Sequence, residues 1–555
     1  SAASDVYKRQ IVTGAANGVM TLASCLQSGL KAGQQAVRDL GLKPAAIKPP
    51  RAADESFAIQ PFWHVKGSDK KAFVDFQNDV GLKTVKQSHR EGFRSVEHLK
   101  RYTTLGMATD QGKIANIPGL AILADISGKT IAETGTTIFR PPYTPVPIAA
   151  FAGRSRGKDF RPTRLTPSHK WASAKGAVFV ETGAWLRAQW YPKTGETEWR
   201  QSVDREVLAT RASVGICDVT TLGKIDIQGR DAAAFLNHVY ANGFAKLPIG
   251  KTRYGLMLRE DGMVMDDGTT ARLGETHYVM TTTTANAVGV FRHLEFCRQC
   301  LWPELDVQLI SITEQYAQYA VAGPNARRLL EKLIDSGEDI SNEAFPFMAC
   351  DEISICGGVK ARLFRISFSG ELAFEIAVPS RYGDAMIRAL MTAGEEFGVT
   401  PYGTEALGVM RIEKGHVAGN ELNGQTTASQ MGLGRMISQS KDSIGVVLSR
   451  RPELVRDDNY ELIGLKPVDV DQPLIAGSHF IGVGASTIAE NDEGWVTSSA
   501  YSPHLKSVIG LGYIQRGNSR HGDIVRAVNL LGGQDIKVEL CSPHFIDPEG
   551  TRLHG

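Results

Sequence analysis

Two proline-rich stretches decide the organisation of this chain before any other pattern does. "DLGLKPAAIKPPRAADES" (39–56) and "FRPPYTPVPIAAFAGRSRGKDFRPTRLTPSH" (139–169) read as extended connectors. Each proline removes a backbone donor and keeps the residue before it out of the helical region. They set apart an N-terminal piece, a small middle unit and a long remainder. At 555 residues the chain is too long for one hydrophobic core, so three or four domains are expected.

Composition narrows the class. With 42% hydrophobic and 22% charged residues the chain reads as soluble globular protein. A formal charge of +2 offers no basic field for nucleic acid and no acidic tail. The 7 cysteines, odd in number and scattered, form no disulfide framework and suit a reducing cytoplasm. No apolar run approaches the ~20 residues that span a bilayer, so no membrane partner is expected. The opening "SAASDVYKRQ" has no signal-peptide core. It reads as a cloning or assembly artefact on a fragment whose upstream part is out of view.

Periodicity places the elements. "IVTGAANGVMTLASCLQSGLKAGQQAV" (11–37) reads as a short β-like run, a turn from Gly14 to Gly18, and a helix. A glycine turn opening a helix can present backbone N–H groups to a phosphate; a terminal helix packed on a sheet fits equally well. Residues 73–113 give two short helices, near 80–90 and 94–101. From about 170 to 545, strands such as "GKIDIQG" and "HYVMTTTT" alternate with amphipathic helices. "DAAAFLNHVYANG", "PNARRLLEKLIDSG" and "RYGDAMIRALMTAGEEFG" are expected to end at glycine. Beyond 470, short strands separated by turn residues predict a small terminal β-barrel.

Several tempting motifs fail. "PIGKT" and "SGKT" lack the first glycine of a phosphate loop, having Ala245 and Leu123 there. His293, Cys297 and Cys300 share a helical face but lack a fourth ligand, so no metal is expected. No G-x-S-x-G elbow occurs. Two carboxylate features remain. In "YGLMLREDGMVMDDGTT" (254–270), Asp266 and Asp267 follow an apolar run; such a pair can close a turn, or one member can be a buried base or cation stabiliser. In "RISFSGELAFEI" (365–376), Glu375 sits between Phe374 and Ile376. It either points inward, needing donors such as those of a pterin ring, or faces solvent on an edge strand.

Six stretches in order, "TPSHKWASAKGAVFVETGAWLRAQWY", "ASVGICDVTTLGKIDIQGRDAAAFLNHVYANG", "YGLMLREDGMVMDDG", "RISFSGELAFEI", "PYGTEALGVMRIEKGHVAGNEL" and "GWVTSSAYSPHLKSVIGLGYI", resemble the folate-binding aminomethyltransferase family typified by the glycine cleavage T-protein. "FVDFQNDV", "REGFRSVEHLKRYTTLGMATDQGK" and "FRPPYTPV" resemble the alpha-subunit family of heterotetrameric sarcosine oxidases. The resemblance implies an α+β fold in four parts. Residues 11–45 would be the tail of a truncated FAD/NAD-binding domain, with Gly14 and Gly18 as its cofactor turn. Residues 55–145 would be a small helical domain similar to [2Fe–2S]-binding modules, with Asp75 and Asp110 near the missing cysteines, so no cluster is expected. Residues 165–445 would be the folate domain and 446–555 its C-terminal β-barrel.

The same resemblance implies roles. Asp267 carries the folate-site carboxylate and is the catalytic candidate; Tyr254, Thr283, Arg365, Phe368 and Glu375 are the substrate-binding candidates. Tetrahydrofolate is the expected one-carbon acceptor, with NAD bound mostly upstream and FAD on a partner subunit. FMN at a subunit interface is assigned to Arg101, Thr103, Thr104 and Lys113, for which a helix cap with two solvated charges is the competing reading. The partners implied are beta, gamma and delta subunits. Three positions depart from the T-protein pattern: Phe368 replaces a tyrosine, Leu407-Gly408 an Arg-Asp pair, and Thr283 an asparagine. They favour a site that captures an imine or formaldehyde made elsewhere over ammonia-releasing transfer on a lipoyl carrier. The expected activity is oxidative demethylation of sarcosine with transfer of the carbon to give 5,10-methylenetetrahydrofolate. A related demethylase of dimethylglycine or another N-methyl amine, or a non-catalytic folate-binding scaffold, are the alternatives. Adjacent side chains on an extended segment point to opposite faces, so Asp267 is expected to enter the site and Asp266 to close a hydrated turn.

Overall fold

Short apolar runs pair into antiparallel sheets through most of this chain, and helices cover the outer sheet faces. The structure, a computed structural model, describes residues 10–139, 144, 146–160, 163–470 and 472–555. All but the last residue of "SAASDVYKRQ", and residues 140–143, 145 and 161–162 of the second connector, lie outside the described residues. The chain divides into two units, Ser1–Phe160 and Arg161–Gly555.

In the first unit, residues 11–13 form no strand; Gly14–Asn17 is a 3-10 turn closed by Gly18 at φ 76°. The helix Leu22–Asp39 starts later, where the Thr21 side chain accepts from the Ser24 amide. A small core of Val74, Val85, Val96, Leu99, Leu120 and Leu123 then joins a hairpin, β1 (Phe73–Asp75) and β2 (Val80–Gly81), to the helices Leu82–Arg90, Val96–Thr103 and Asn116–Ser127. The first two of these three helices match the periodicity. The third was missed because it is apolar on all sides, so it has no stripe to read. Asp75 is 3% exposed and accepts from the Gly106 amide at 2.8 Å, tying the hairpin to the loop after Thr103.

Among its described residues the second unit holds three sheets and a barrel. β3 (Arg164–Leu165), β4 (Val178–Thr182) and β5 (Trp185–Trp190) form a small sheet in the order β3-β5-β4. A six-stranded sheet runs β13-β14-β15-β12-β6-β16, from β6 (Gly215–Asp218), β12 (Tyr316–Ala322), β13 (Cys350–Ile355), β14 (Val359–Phe364), β15 (Ala373–Pro379) and β16 (Thr400–Pro401). A five-stranded sheet runs β11-β7-β10-β9-β8, from β7 (Gly223–Gln228), β8 (Lys251–Leu258), β9 (Val264–Arg272), β10 (His277–Thr282) and β11 (Gln308–Ser311). Each of these two sheets buries one face under helices. Phe235, Leu236, Val290 and Leu294 pack on Ile225, Ile227, Tyr278 and Met280; Leu329, Leu330, Ile387 and Leu390 pack on Tyr319, Leu363, Phe374 and Ile376.

The expected C-terminal barrel is closed, in the order β17-β20-β19-β18-β21-β22. Its strands are β17 (Tyr460–Pro467), β18 (His479–Gly482), β19 (Asp492–Ser502), β20 (Ser507–Gln515), β21 (Ile524–Asn529) and β22 (Gln534–Cys541). Alternate residues such as Ile463, Leu465, Val525, Val538 and Leu540 fill it. The glycine stops hold in one case of three. The third helix, Gly383–Ala393, is capped at Gly394, and the 3-10 turn that follows it, Glu395–Phe397, closes at Gly398 with φ 65°. The other two end at Tyr240 and Lys332, well before their glycines.

Candidate functional site

Both acids of the pair lie inside β9, paired with Leu256 and Met257 of β8, so neither closes a turn. Their side chains point to opposite faces, as a strand requires. The face expected to meet water does not. Asp266 is 2% exposed, beneath the helix-covered side of the sheet. It accepts from the Thr283 hydroxyl at 2.6 Å, the Thr283 amide at 3.2 Å and the Asn286 side-chain amide at 3.2 Å. Asn286 is the N-cap of the helix Ala287–Phe296, so Asp266 anchors the connection from β10 into that helix. Burial raises its pKa, and these hydrogen bonds oppose the shift.

Asp267 takes the other face, where the Tyr254 hydroxyl donates to it at 2.7 Å. Burial lifts its pKa to about 6; the Tyr254 hydrogen bond pulls it down and the charge of Asp266 pushes it up. Gly268 lets β9 and β10 close here, since a Cβ would stand 2.1 Å from the Thr281 carbonyl oxygen. Thr269 and Thr281 hydroxyls meet at 2.9 Å on the same face as Asp267.

The six-stranded sheet presents Glu375 toward this surface. Ala271, on Asp267's face of β9, packs in one cluster with Phe364 and Ala377, on Glu375's face of β14 and β15. The two carboxylates therefore stand on facing sheet surfaces. Glu375 is 8% exposed and accepts from the Gln318 side-chain amide at 2.5 Å. Burial raises its pKa, while Gln318, Lys224 and Arg187 hold it down. Lys224 projects from β7 between the sheets and donates to the Thr220 and Leu222 carbonyls at 2.6 and 3.0 Å. Burial lowers its pKa to about 8 against the pull of Asp218 and Glu375. Arg187 keeps a buried Nε with no hydrogen-bond partner among the described residues. A buried carboxylate beside an unsatisfied guanidinium N–H matches a pterin edge, which carries N–H donors next to a carbonyl. Gln318, Lys224 and Arg187 were not found in the sequence, because only the pairing of distant strands brings them to Glu375.

Of the remaining candidates, Thr283 serves Asp266, as described, and its side chain also helps to hold down the pKa of Asp267. Phe368, 39% exposed, lies in the β14–β15 turn with its ring 5.7 Å from His416, a residue the sequence did not single out. His416 donates from Nδ1 to the Phe368 carbonyl at 3.0 Å, and burial lowers its pKa to about 4. Arg365 is not brought to Glu375. It is 1% exposed and donates to the Phe345 and His554 carbonyls at 2.8 and 2.6 Å, near the ring of Phe374 on the opposite sheet face. In the first unit, the Gly18 and Val19 amides are spent on the Ala15 and Gly14 carbonyls rather than presented outward. Arg101 pairs with Glu97 at 3.2 Å, and the Thr103 and Thr104 hydroxyls donate to the Leu99 and Thr103 carbonyls. Both threonines sit at the C-terminal end of their helix, where the dipole disfavours a phosphate. Lys113, exposed, lies ten residues beyond that helix end in the sequence.

Family models match three parts of the chain: the sarcosine oxidase A3 domain over residues 69–154, the GCVT N-terminal domain over 168–441 and the glycine cleavage T-protein C-terminal barrel domain over 461–547. The sarcosine oxidase subunit alpha of Rhizobium meliloti (strain 1021) is 51% identical over 547 residues, 98% of this chain and 55% of that protein. The aminomethyltransferase of Geobacillus sp. (strain WCH70) is 32% identical over 346 residues, 61% of this chain and 87% of that protein. The crystal structure of the glycine cleavage system aminomethyltransferase T from Bartonella henselae shares the fold, with a TM-score of 0.60 at 24% identity over 69% of this chain and 98% of that one. The chain spans about half the length of the sarcosine oxidase subunit it matches.

Proposed function

We propose, for a chain that belongs to the aminomethyltransferase family and is homologous over nearly its full length to sarcosine oxidase alpha subunits, that it is the folate-dependent part of a sarcosine-oxidising complex. The observation that carries this reading is the pair of facing surfaces, Tyr254–Asp267 and Lys224 on the five-stranded sheet and Gln318–Glu375 on the six-stranded sheet. Glu375 and Arg187 hold the pterin edge. Asp267 stands where positive charge develops as a one-carbon unit at the formaldehyde level joins N5 and N10 of tetrahydrofolate. Two C–N bonds form, two N–H protons leave, and the carbonyl oxygen departs as water. A carboxylate fixed in a drier pocket stabilises the cationic iminium and accepts a proton as the ring closes.

Oxidation of sarcosine to the imine belongs in this reading to a partner's flavin, with beta, gamma and delta subunits completing the assembly. The division of residues 11–45, 55–145, 165–445 and 446–555 into four functional parts belongs to the same proposal. So do NAD at an upstream site and FMN beside Arg101 and Lys113. The Thr103 and Thr104 hydroxyls, already donating to carbonyls, contribute least there.

The chain alone is expected to bind tetrahydrofolate and to oxidise no amine. In the assembled complex with sarcosine, Asp267→Asn is expected to release free formaldehyde in place of 5,10-methylenetetrahydrofolate at an unchanged rate of sarcosine loss. Full methylenetetrahydrofolate yield from that variant would reduce the chain to a scaffold.

A further inference from the structure

The last residues of the chain fold back on the turn that carries Phe368. Residues 543–547 first line the end of the helix Thr404–Lys414. The Phe545 and Ile546 amides both donate to the Glu413 carbonyl, at 2.9 and 3.0 Å, and Lys414 pairs with Asp547 at 3.2 Å. Residues 552–554 then reach both flanks of the 365–372 turn. Arg365 donates to the His554 carbonyl at 2.6 Å, and Arg552 donates to Glu371 at 2.6 Å.

Glu371 is 3% exposed and already holds Arg211 at 2.7 Å. Arg211 also binds the buried Glu413, so one guanidinium serves two carboxylates and Arg552 supplies the second cation. The Arg552 side chain, 38% exposed, therefore ties the end of the chain to the turn as well as balancing the charge of Glu371. The turn's two ends are held by Arg365 and Glu371, its Ser369 carbonyl accepts from Arg211 at 3.0 Å, and Phe368 lies against His416.

We infer that Arg552 is a positioning residue: through Glu371 it fixes the 365–372 turn and so sets Phe368 for the folate. The link to folate rests on the function proposed above, with Phe368 as one of its substrate-binding candidates; the ordering of the turn does not.

The test uses the assembled complex and two variants, Arg552→Met and Arg552→Lys. Hydrogen–deuterium exchange of the peptide covering 366–372 reads the turn, tetrahydrofolate titration reads the site, and sarcosine consumption reads overall integrity. Loss of one partly exposed charge-assisted contact is expected to speed exchange in that peptide about five- to tenfold and to raise the tetrahydrofolate Kd by a similar factor. Arg552→Lys should recover most of both, and sarcosine consumption should stay at the wild-type rate. Unchanged exchange in Arg552→Met overturns the inference whatever happens to folate. Faster exchange with an unchanged Kd overturns its link to the site. Parallel loss of sarcosine consumption overturns it in favour of a general folding role. A wild-type complex that does not bind tetrahydrofolate removes the proposed function instead, and the exchange data still decide the tether.

Discussion

Tyr254 donates its phenolic hydrogen to Asp267 from the neighbouring strand, 2.7 Å away, and the carboxyl it serves has a pKa lifted to about 6. If the ionised form assists transfer, methylenetetrahydrofolate formation rises with pH through about 6 and levels off above it. Asp267→Asn should remove that limb and cost on the order of 2–4 kcal/mol in the transfer step. Tyr254→Phe deletes a hydrogen bond that favours the charged form, so the limb should move to higher pH. The stability sign is opposite to that of a salt-bridged acid. The folded state binds this proton more tightly than the unfolded one, so Asp267 costs least at low pH and most above about 6. A pH–rate profile of Tyr254→Phe with its inflection unmoved or lowered would sink the assignment.

Asp266 is the structural member of the pair. Its carboxylate accepts from Thr283 twice and from Asn286 once. Asp266→Asn replaces one acceptor oxygen by an N–H2 group facing those donors. The expected cost is about 1–3 kcal/mol of stability, the penalty of unsatisfied buried polar groups. Transfer by the folded fraction should change little. Thermal unfolding and single-turnover transfer on the same preparation separate the two; a transfer loss larger than that of Asp267→Asn reverses the roles.

The sequence made the β9 acids legible as a pair and their opposite orientation legible from the period of two. It did not show that the helices Ala232–Val239 and Ala287–Phe296 cover the second face, because that depends on packing between segments far apart in the chain. The barrel was visible as turn-separated strands beyond 470, but β17 begins earlier, at Tyr460, in a stretch with no clear alternation. Arg365 shows the converse problem. A motif places it ten residues before Glu375, yet strand alternation and the C-terminal fold-back turn it to the other sheet face.

Glu375 offers a binding test independent of catalysis. Its burial and raised pKa mean that a neutral amide fits the same space with little disturbance to the sheet. Glu375→Gln weakens charge-assisted bonds to the donors of a pterin, worth about 1.5–3 kcal/mol. The tetrahydrofolate Kd should rise roughly ten- to a hundredfold, with melting temperature nearly unchanged. A wild-type Kd in Glu375→Gln would move the pterin away from this carboxylate.

Arg211 joins the parts of the second unit that frame this site. Its guanidinium reaches Glu413 through Nε at 2.9 Å and through Nη2, and Glu371 through Nη1 at 2.7 Å. Glu413 also accepts from Ser502 of β19 at 2.5 Å, so the network spans the helix Trp199–Ala212, the helix Thr404–Lys414, the 365–372 turn and the barrel. Arg211→Met leaves Glu413, 0% exposed, without a cation and should cost about 3–5 kcal/mol, because breaking a buried pair strands a charge. Glu413→Gln in the same chain removes that stranded charge. The double variant should therefore be more stable than Arg211→Met alone, with a coupling of about 0.5–3 kcal/mol read from a denaturant double-mutant cycle. Strict additivity would show that the two side chains stabilise the fold through separate contacts and that the bridge between helix and barrel carries none of it.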